Sequence, residues 1–297
     1  MKRFILVLAV LAIPFWGFAS TALPQGRDTL RVLTVGNSFS EDCMQWLPDL
    51  LEAAGIHNVI LGNLAYPGCS MEKHCVLASE NSPSYLFYKS GSGNKWSLVR
   101  GKTFQEGLQD EPWDIISLQQ VSGLSGVWES YEPWLETLKA LVLANATNPE
   151  VVLVWHQTWS YSRTSGHGDF PRYQSDQKRM YESILSCNRK VTDGHGIEVL
   201  VPDGAATMLL RSTKANPGTD DITRDGFHHD LGMGRFLLSC VWFEAIIRPC
   251  LGISVRNNPC RLEGTEFELD PSTAEICRRT AVKAVRKPYA KYRKPKD

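Results

Sequence analysis

The chain lacks any excess of charge: 32 lysines and arginines stand against 32 aspartates and glutamates in 297 residues. That balance removes the general electrostatic attraction that draws a protein to nucleic acid. There is no Cys-x-x-Cys pair and no tight cysteine and histidine cluster, so the spacing of a structural metal site is missing. Eight cysteines occur, but Cys43, Cys69, Cys75, Cys187, Cys240, Cys250, Cys260 and Cys277 are too dispersed for a compact disulfide scaffold. No internal repeat is visible. What is present is an ordinary globular composition, 43% hydrophobic and 22% charged, able to bury one large core or two smaller ones.

Met1-Lys2-Arg3 precedes an almost wholly apolar stretch from Phe4 to Ala19, and small residues follow at Ser20-Thr21-Ala22. This is the pattern of a signal peptide over residues 1–22, an uncleaved anchor being the alternative. The first cysteine, Cys43, lies too far on for a lipid anchor. An exported protein, periplasmic or secreted and without stable membrane insertion after cleavage, is expected. In an oxidising compartment some cysteines should pair, Cys250 with Cys260 being the most local choice, while Cys43 and Cys240 read as core thiols.

Short apolar runs rich in valine, isoleucine and leucine fall at Leu30 to Val35, Asn58 to Leu64, Trp113 to Leu118, Glu150 to Trp155 and Ile197 to Val201. Runs of this length suit parallel strands covered on both faces. Helical patterns lie between them, at Met44 to Ala54, Phe104 to Leu108, Tyr131 to Ala144, Arg172 to Thr192 and Gly232 to Ile247. The alternation predicts an α/β fold, a three-layer α/β/α sandwich on a five-stranded parallel sheet, over residues 28–250. The polar stretch from Cys75 to Lys102 reads as an insertion or irregular hairpin over the site. Residues 251–297 read as an extension with a helix opened by Asp270-Pro271-Ser272 and a basic end.

In such a sheet ligands bind beyond the carboxyl ends of the strands. Ser38 falls there, in Gly36-Asn37-Ser38 behind the first strand. A serine becomes a nucleophile only when a base takes its proton and a third group orients that base. Asp225-Gly226-Phe227-His228, before the last apolar helix, supplies both. His229 is the local rival to His228.

With these blocks the chain resembles an SGNH (GDSL-type) hydrolase, of an exported bacterial branch; the superfamily fold is flavodoxin-like. The resemblance implies Ser38 as nucleophile, His228 as base and Asp225 as its orienting acid. It also implies an oxyanion hole from the backbone amides of Ser38 and Gly68, the latter in Tyr66-Pro67-Gly68-Cys69. Where the family ends its third strand with Gly-x-Asn-Asp, this chain has Ser117-Leu118-Gln119-Gln120. A glutamine amide can donate as asparagine does, so the third donor is assigned to Gln119 or Gln120, with Gln119 preferred. The resemblance requires no metal or organic cofactor.

Trp155-His156-Gln157-Thr158-Trp159 ends the fourth predicted strand. Aromatic faces beside polar groups suit a sugar ring, so Trp155, His156 and Trp159 are candidate substrate contacts, with core packing as the alternative for the tryptophans. The expected activity is an exported serine esterase removing acyl groups, acetyl foremost, from carbohydrate. A catalytically silent carbohydrate-binding protein on the same fold is the alternative, and anionic-polymer binding by the basic end is a third.

Overall fold

The computed structural model describes residues 23–90, 95–216, 218 and 221–294. The expected signal peptide and Gly91-Ser92-Gly93-Asn94 lie outside them. The chain forms β1 (Leu30–Gly36), α1 (Ser38–Met44), α2 (Leu47–Ala53), β2 (Val59–Ala65), α3 (Met71–Ser79), β3 (Tyr85–Ser90), β4 (Trp96–Lys102), α4 (Phe104–Leu108), β5 (Ile115–Leu118), α5 (Trp134–Asn145) and β6 (Val152–His156). Then follow α6 (Gln177–Gly194), β7 (Val199–Val201), α7 (Asp203–Arg211), α8 (Met233–Trp242), α9 (Arg248–Leu251) and α10 (Pro271–Arg286).

The sheet corrects the five-stranded parallel expectation. It is mixed and seven-stranded, in the order β4-β3-β2-β1-β5-β6-β7. The five strands expected from apolar runs are all present and mutually parallel, with Leu30 opposite Val59 and Val32 opposite Ile115. The polar stretch adds an antiparallel pair at one edge, where Asn63 faces Tyr88 and Tyr88 faces Leu98. Those two strands escaped the sequence pattern because β4 lies on the surface and shows no buried face.

Alternation along the strands divides the core in two. Leu30, Val32, Leu61, Ile115 and Val154 pack with residues of α1, α2, α7, α8 and α10 on one face. Leu33, Val35, Leu64, Ile116 and Trp155 pack with α3 and α5 on the other. The C-terminal segment is part of this core. Asp270 caps α10 by accepting from Ser272 and Thr273, and Ala274, Cys277, Ala281 and Ala284 are buried against the body.

The predicted helix Met44 to Ala54 is two short helices, and α1 already begins at Ser38. The predicted helix Gly232 to Ile247 ends as α8 at Trp242, followed by a π-helical turn over Phe243–Ile247. The expected Cys250 to Cys260 bridge is not formed. All eight cysteines are free and buried.

Candidate active site

Strand β1 delivers Gly36 to the carboxyl end of the sheet, and the chain turns at once into α1. Gly36 has no room for a side chain: a Cβ there would stand 2.7 Å from Gln119 Oε1 and 2.7 Å from Ser40 Oγ. Asn37 caps the helix, its Oδ1 accepting from the Phe39 amide at 3.0 Å. Ser38 is thereby fixed in the first turn.

Its Oγ lies 2.8 Å from His228 Nε2, and His228 Nδ1 lies 2.7 Å from Asp225 Oδ2. The Asp225 carboxylate also accepts from the backbone amides of His228, at 2.7 Å, and Phe227, at 3.1 Å. Burial pushes this carboxyl up, but the hydrogen bonds from the His228 ring and the two amides outweigh it and hold it below the usual carboxylate range. An ionised carboxylate only accepts, so the imidazole proton sits on Nδ1 and Nε2 is left to accept from the serine. This is the arrangement in which a serine hydroxyl can lose its proton as it attacks.

His229 is elsewhere. It is fully buried, with Nε2 2.9 Å from Thr207 Oγ1 and its ring edge-on to Trp159. Burial, then the charges of Arg211, Arg224 and Arg235, hold it well below the ordinary histidine range.

Gly68 sits at φ +65°, a left-handed conformation that favours glycine, and a Cβ there would meet nothing within 4 Å. Among the described residues no protein acceptor takes the backbone N–H of Ser38 or of Gly68. Asn37 ties the two loops together, since its Nδ2 donates to the Cys69 carbonyl at 3.0 Å.

Neither glutamine presents a carboxamide to the site, which corrects that expectation. Gln120 Nε2 donates to the backbone oxygen and hydroxyl of Ser130, while its Oε1 accepts from Met71 and Val121 amides. Gln119 is buried behind Asn37, its Nε2 donating to Asn37 Oδ1 at 3.0 Å and its Oε1 lying 2.9 Å from His156 Nδ1. It supports Asn37 and does not face the space above Ser38.

The aromatic segment is also corrected, because Trp155, His156 and Trp159 are all buried to 1% exposure or less. Trp155 belongs to the opposite face of the sheet and donates to Asn188 Oδ1 at 2.5 Å. Trp159 stacks on Phe39 at 4.0 Å and donates to the Phe227 carbonyl at 2.7 Å. It therefore braces the residues next to Ser38 and His228 without reaching a substrate.

His156 Nε2 makes a polar contact with Asp203 Oδ2 at 2.8 Å, and Trp242 Nε1 donates to the same oxygen at 3.0 Å. With Cys43 these two side chains put possible metal ligands within 4.8 Å of one another. The three are fully buried, and a cation would have to displace the Trp242 bond, so the group fits a buried polar brace better than a metal site. The Asp203 carboxyl is pushed up by burial, against the pull of His156.

Asp42 carried no signal in the sequence. It is fully buried one turn after Ser38, and it accepts from Arg235 Nε at 2.9 Å, Arg224 Nη1 at 3.1 Å and the His229 amide at 3.0 Å. One carboxylate thus fastens α1, which carries Ser38, to the loop carrying His228. A cavity of about 710 Å³ along α10, lined by Arg256, Arg279, Lys283 and Arg286 among others, contains none of these residues.

The family model described as Domain of unknown function (DUF4886) matches residues 31–284, and the chain belongs to that family. A DUF4886 family protein from Bacteroides uniformis is similar at 36% identity with a TM-score of 0.80, over 89% of this chain and 97% of that one. More distant likenesses are an alpha/beta hydrolase enzyme from the metagenome of Lake Arreo and an acetylxylan esterase from Geobacillus stearothermophilus. The first has 13% identity and a TM-score of 0.48, over 76% of this chain and 98% of that one. The second has 14% and 0.46, over 75% and 95%. No curated protein matches the chain. Among the described residues no helix is long and apolar enough to cross a membrane.

Proposed function

We propose that the protein is an exported serine esterase of the SGNH hydrolase type that removes acyl groups, acetyl foremost, from carbohydrate. The observation that carries this is the continuous chain Asp225, His228, Ser38, with contacts of 2.7 and 2.8 Å. Ser38 Oγ attacks the ester carbonyl while His228 Nε2 takes its proton. The carbonyl oxygen, now negative, accepts from the amides of Ser38 and Gly68. His228 returns the proton to the departing sugar oxygen, which leaves as a hydroxyl, and the acyl group stays on Ser38 as an acyl-serine. Water, deprotonated by the same nitrogen, attacks the acyl carbon, and the proton goes back to Ser38 as the acid is released.

Hydrolysis of 4-nitrophenyl acetate by the mature protein, beside Ser38→Ala and His228→Ala, tests the reaction. Each variant should lose about 10²- to 10⁴-fold or more in kcat. Three equal, slow rates would sink the triad and favour the silent binding protein.

A further inference from the structure

Beside the nucleophile lies a second, separately built space. The β3–β4 hairpin meets α1 and the start of α8 over a cavity of about 280 Å³ lined by Glu41, Gln45, Asn63, Tyr88, Trp96 and Arg235, with Met44. It is at the small end of ligand pockets and holds one monosaccharide ring more readily than a chain. Glu41 stands one turn after Ser38 on the same face of α1, about 4.5 Å along the helix axis. Burial and then Asp42 push its carboxyl up, against the pull of Arg235, which lines the same cavity. The pocket and the triad are therefore neighbours along α1.

The lining has unspent hydrogen-bonding capacity. Asn63 is 2% exposed, and its Oδ1 is taken by Ser40 and Thr34 hydroxyls at 2.8 Å each. Its NH₂ has no protein acceptor among the described residues, and Asn63 lines the cavity. The Glu41 carboxylate and the Tyr88 hydroxyl have no protein hydrogen bond among the described residues. Gln45 gives its Oε1 to Arg235 and keeps its NH₂. The indole of Trp96 is fixed by its Nε1, which donates to the Gln45 carbonyl at 3.1 Å.

Donors, an acceptor and a fixed aromatic face around a ring-sized space are the requirements of a polyhydroxylated ring, which offers hydroxyls at its rim and C–H bonds on its faces. The charge pattern narrows the choice. Arg235 is held by the Asp42 carboxylate, with contacts at 2.8 and 2.9 Å, whereas Glu41 feels the charges of Arg235 and Arg224 but makes no ion pair among the described residues. An acidic sugar would meet that carboxylate, and an acyl tail would strip water from Asn63, Gln45 and Glu41 with nothing in return. We propose that this pocket is the site for a neutral pyranose ring of the substrate, with Trp96 and Tyr88 of the β3–β4 hairpin and Glu41 of α1 setting specificity; this deepens, and rests on, the esterase function above.

The test compares two acetyl esters that share the acyl group and differ in the ring: mono-O-acetylated methyl β-D-glucopyranoside and ethyl acetate. For each variant the ratio of the two kcat/KM values is measured. Trp96→Ala and Glu41→Ala should lower that ratio at least tenfold, and Trp96→Phe should recover most of it. A ratio that stays constant while both rates fall would overturn the sugar site and leave the esterase standing.

Should the wild type hydrolyse neither ester, the esterase reading fails and the pocket is judged by binding. Saturation-transfer NMR with methyl β-D-glucopyranoside on the Ser38→Ala protein should show transfer that Trp96→Ala abolishes. Equal transfer in both proteins, transfer in neither, or transfer as strong to methyl β-D-glucuronide would overturn the proposal.

Discussion

Asn37 uses its carboxamide at both ends. Oδ1 accepts from Phe39 and Gln119, while Nδ2 donates to the Cys69 carbonyl. An aspartate could make only the first kind of bond, and its second oxygen would face another oxygen in a buried site. Asn37→Asp should cost about 1–3 kcal/mol in urea unfolding and should lower kcat by loosening the Gly68 loop. Unchanged stability and rate would show that the Cys69 bond is dispensable.

Asp225 gives a prediction in pH. Its folded carboxyl is held below its unfolded value, so the stability it contributes is complete above the unfolded pKa, near 4, and drains away as pH falls through the folded one. Asp225→Asn should therefore flatten the acid limb of the stability curve and, independently, cut kcat about 10²- to 10⁴-fold at neutral pH by releasing the imidazole. Urea midpoints from pH 3 to pH 7 for both proteins check the first part. An acid limb as steep in the variant as in the parent would refute it.

At this scale Ser38, His228 and Asp225 were legible because short motifs declare them. Trp155, His156 and Trp159 were misassigned for the opposite reason: a buried aromatic strut and a sugar platform have the same composition, and only the packing tells which side chain meets solvent.

Among the elements, the junction of α1 with the loop before α8 decides whether the site holds together. Asp42 is its fastening, shared between Arg224, Arg235 and the His229 amide. Asp42→Ala would leave two guanidinium groups facing an emptied, dry position, with a loss of about 3 kcal/mol in denaturant unfolding. Activity should fall further than stability alone explains, because Ser38 and His228 would no longer share a frame. A variant that unfolds as the parent does would remove Asp42 from this role.

The sequence located the five parallel strands to within two residues, since strands covered on both faces read as unbroken apolar runs. It missed β3 and β4 because an edge pair is half in water; β4 exposes Leu98 and Val99 beside Arg100. It began the first helix late because the opening turn, Ser38-Phe39-Ser40-Glu41-Asp42, is polar for reasons of chemistry and capping. The stretch that reads as an insertion or irregular hairpin over the site is the one that walls the cavity beside Ser38.

Over the whole molecule, Ser38 and His228 come within 2.8 Å across 190 positions of sequence. No local pattern reports such a closure; it follows from β1 lying at the middle of the sheet and α8 packing against α1. The C-terminal helix belongs to the same closure, since α10 is buried against α7 and α8. Removal of residues 271–297 should abolish the single cooperative transition expected of one core, seen as a broad melt in place of a sharp one. A truncated chain that still melts sharply would make α10 an accessory.

The eight buried, unpaired thiols have a consequence that lies outside the folded state. In the native protein they should resist Ellman's reagent, and reductant should leave the melting temperature unmoved. Unfolded, the same chain exposes eight reactive groups at once. In an oxidising medium each must be hidden before it is joined to a wrong neighbour, so refolding there becomes a race between burial and cross-linking. Refolding yield, unlike stability, should therefore rise when thiols are kept reduced. The deeper these sulfurs sit at the end, the more the protein depends on how quickly it gets there.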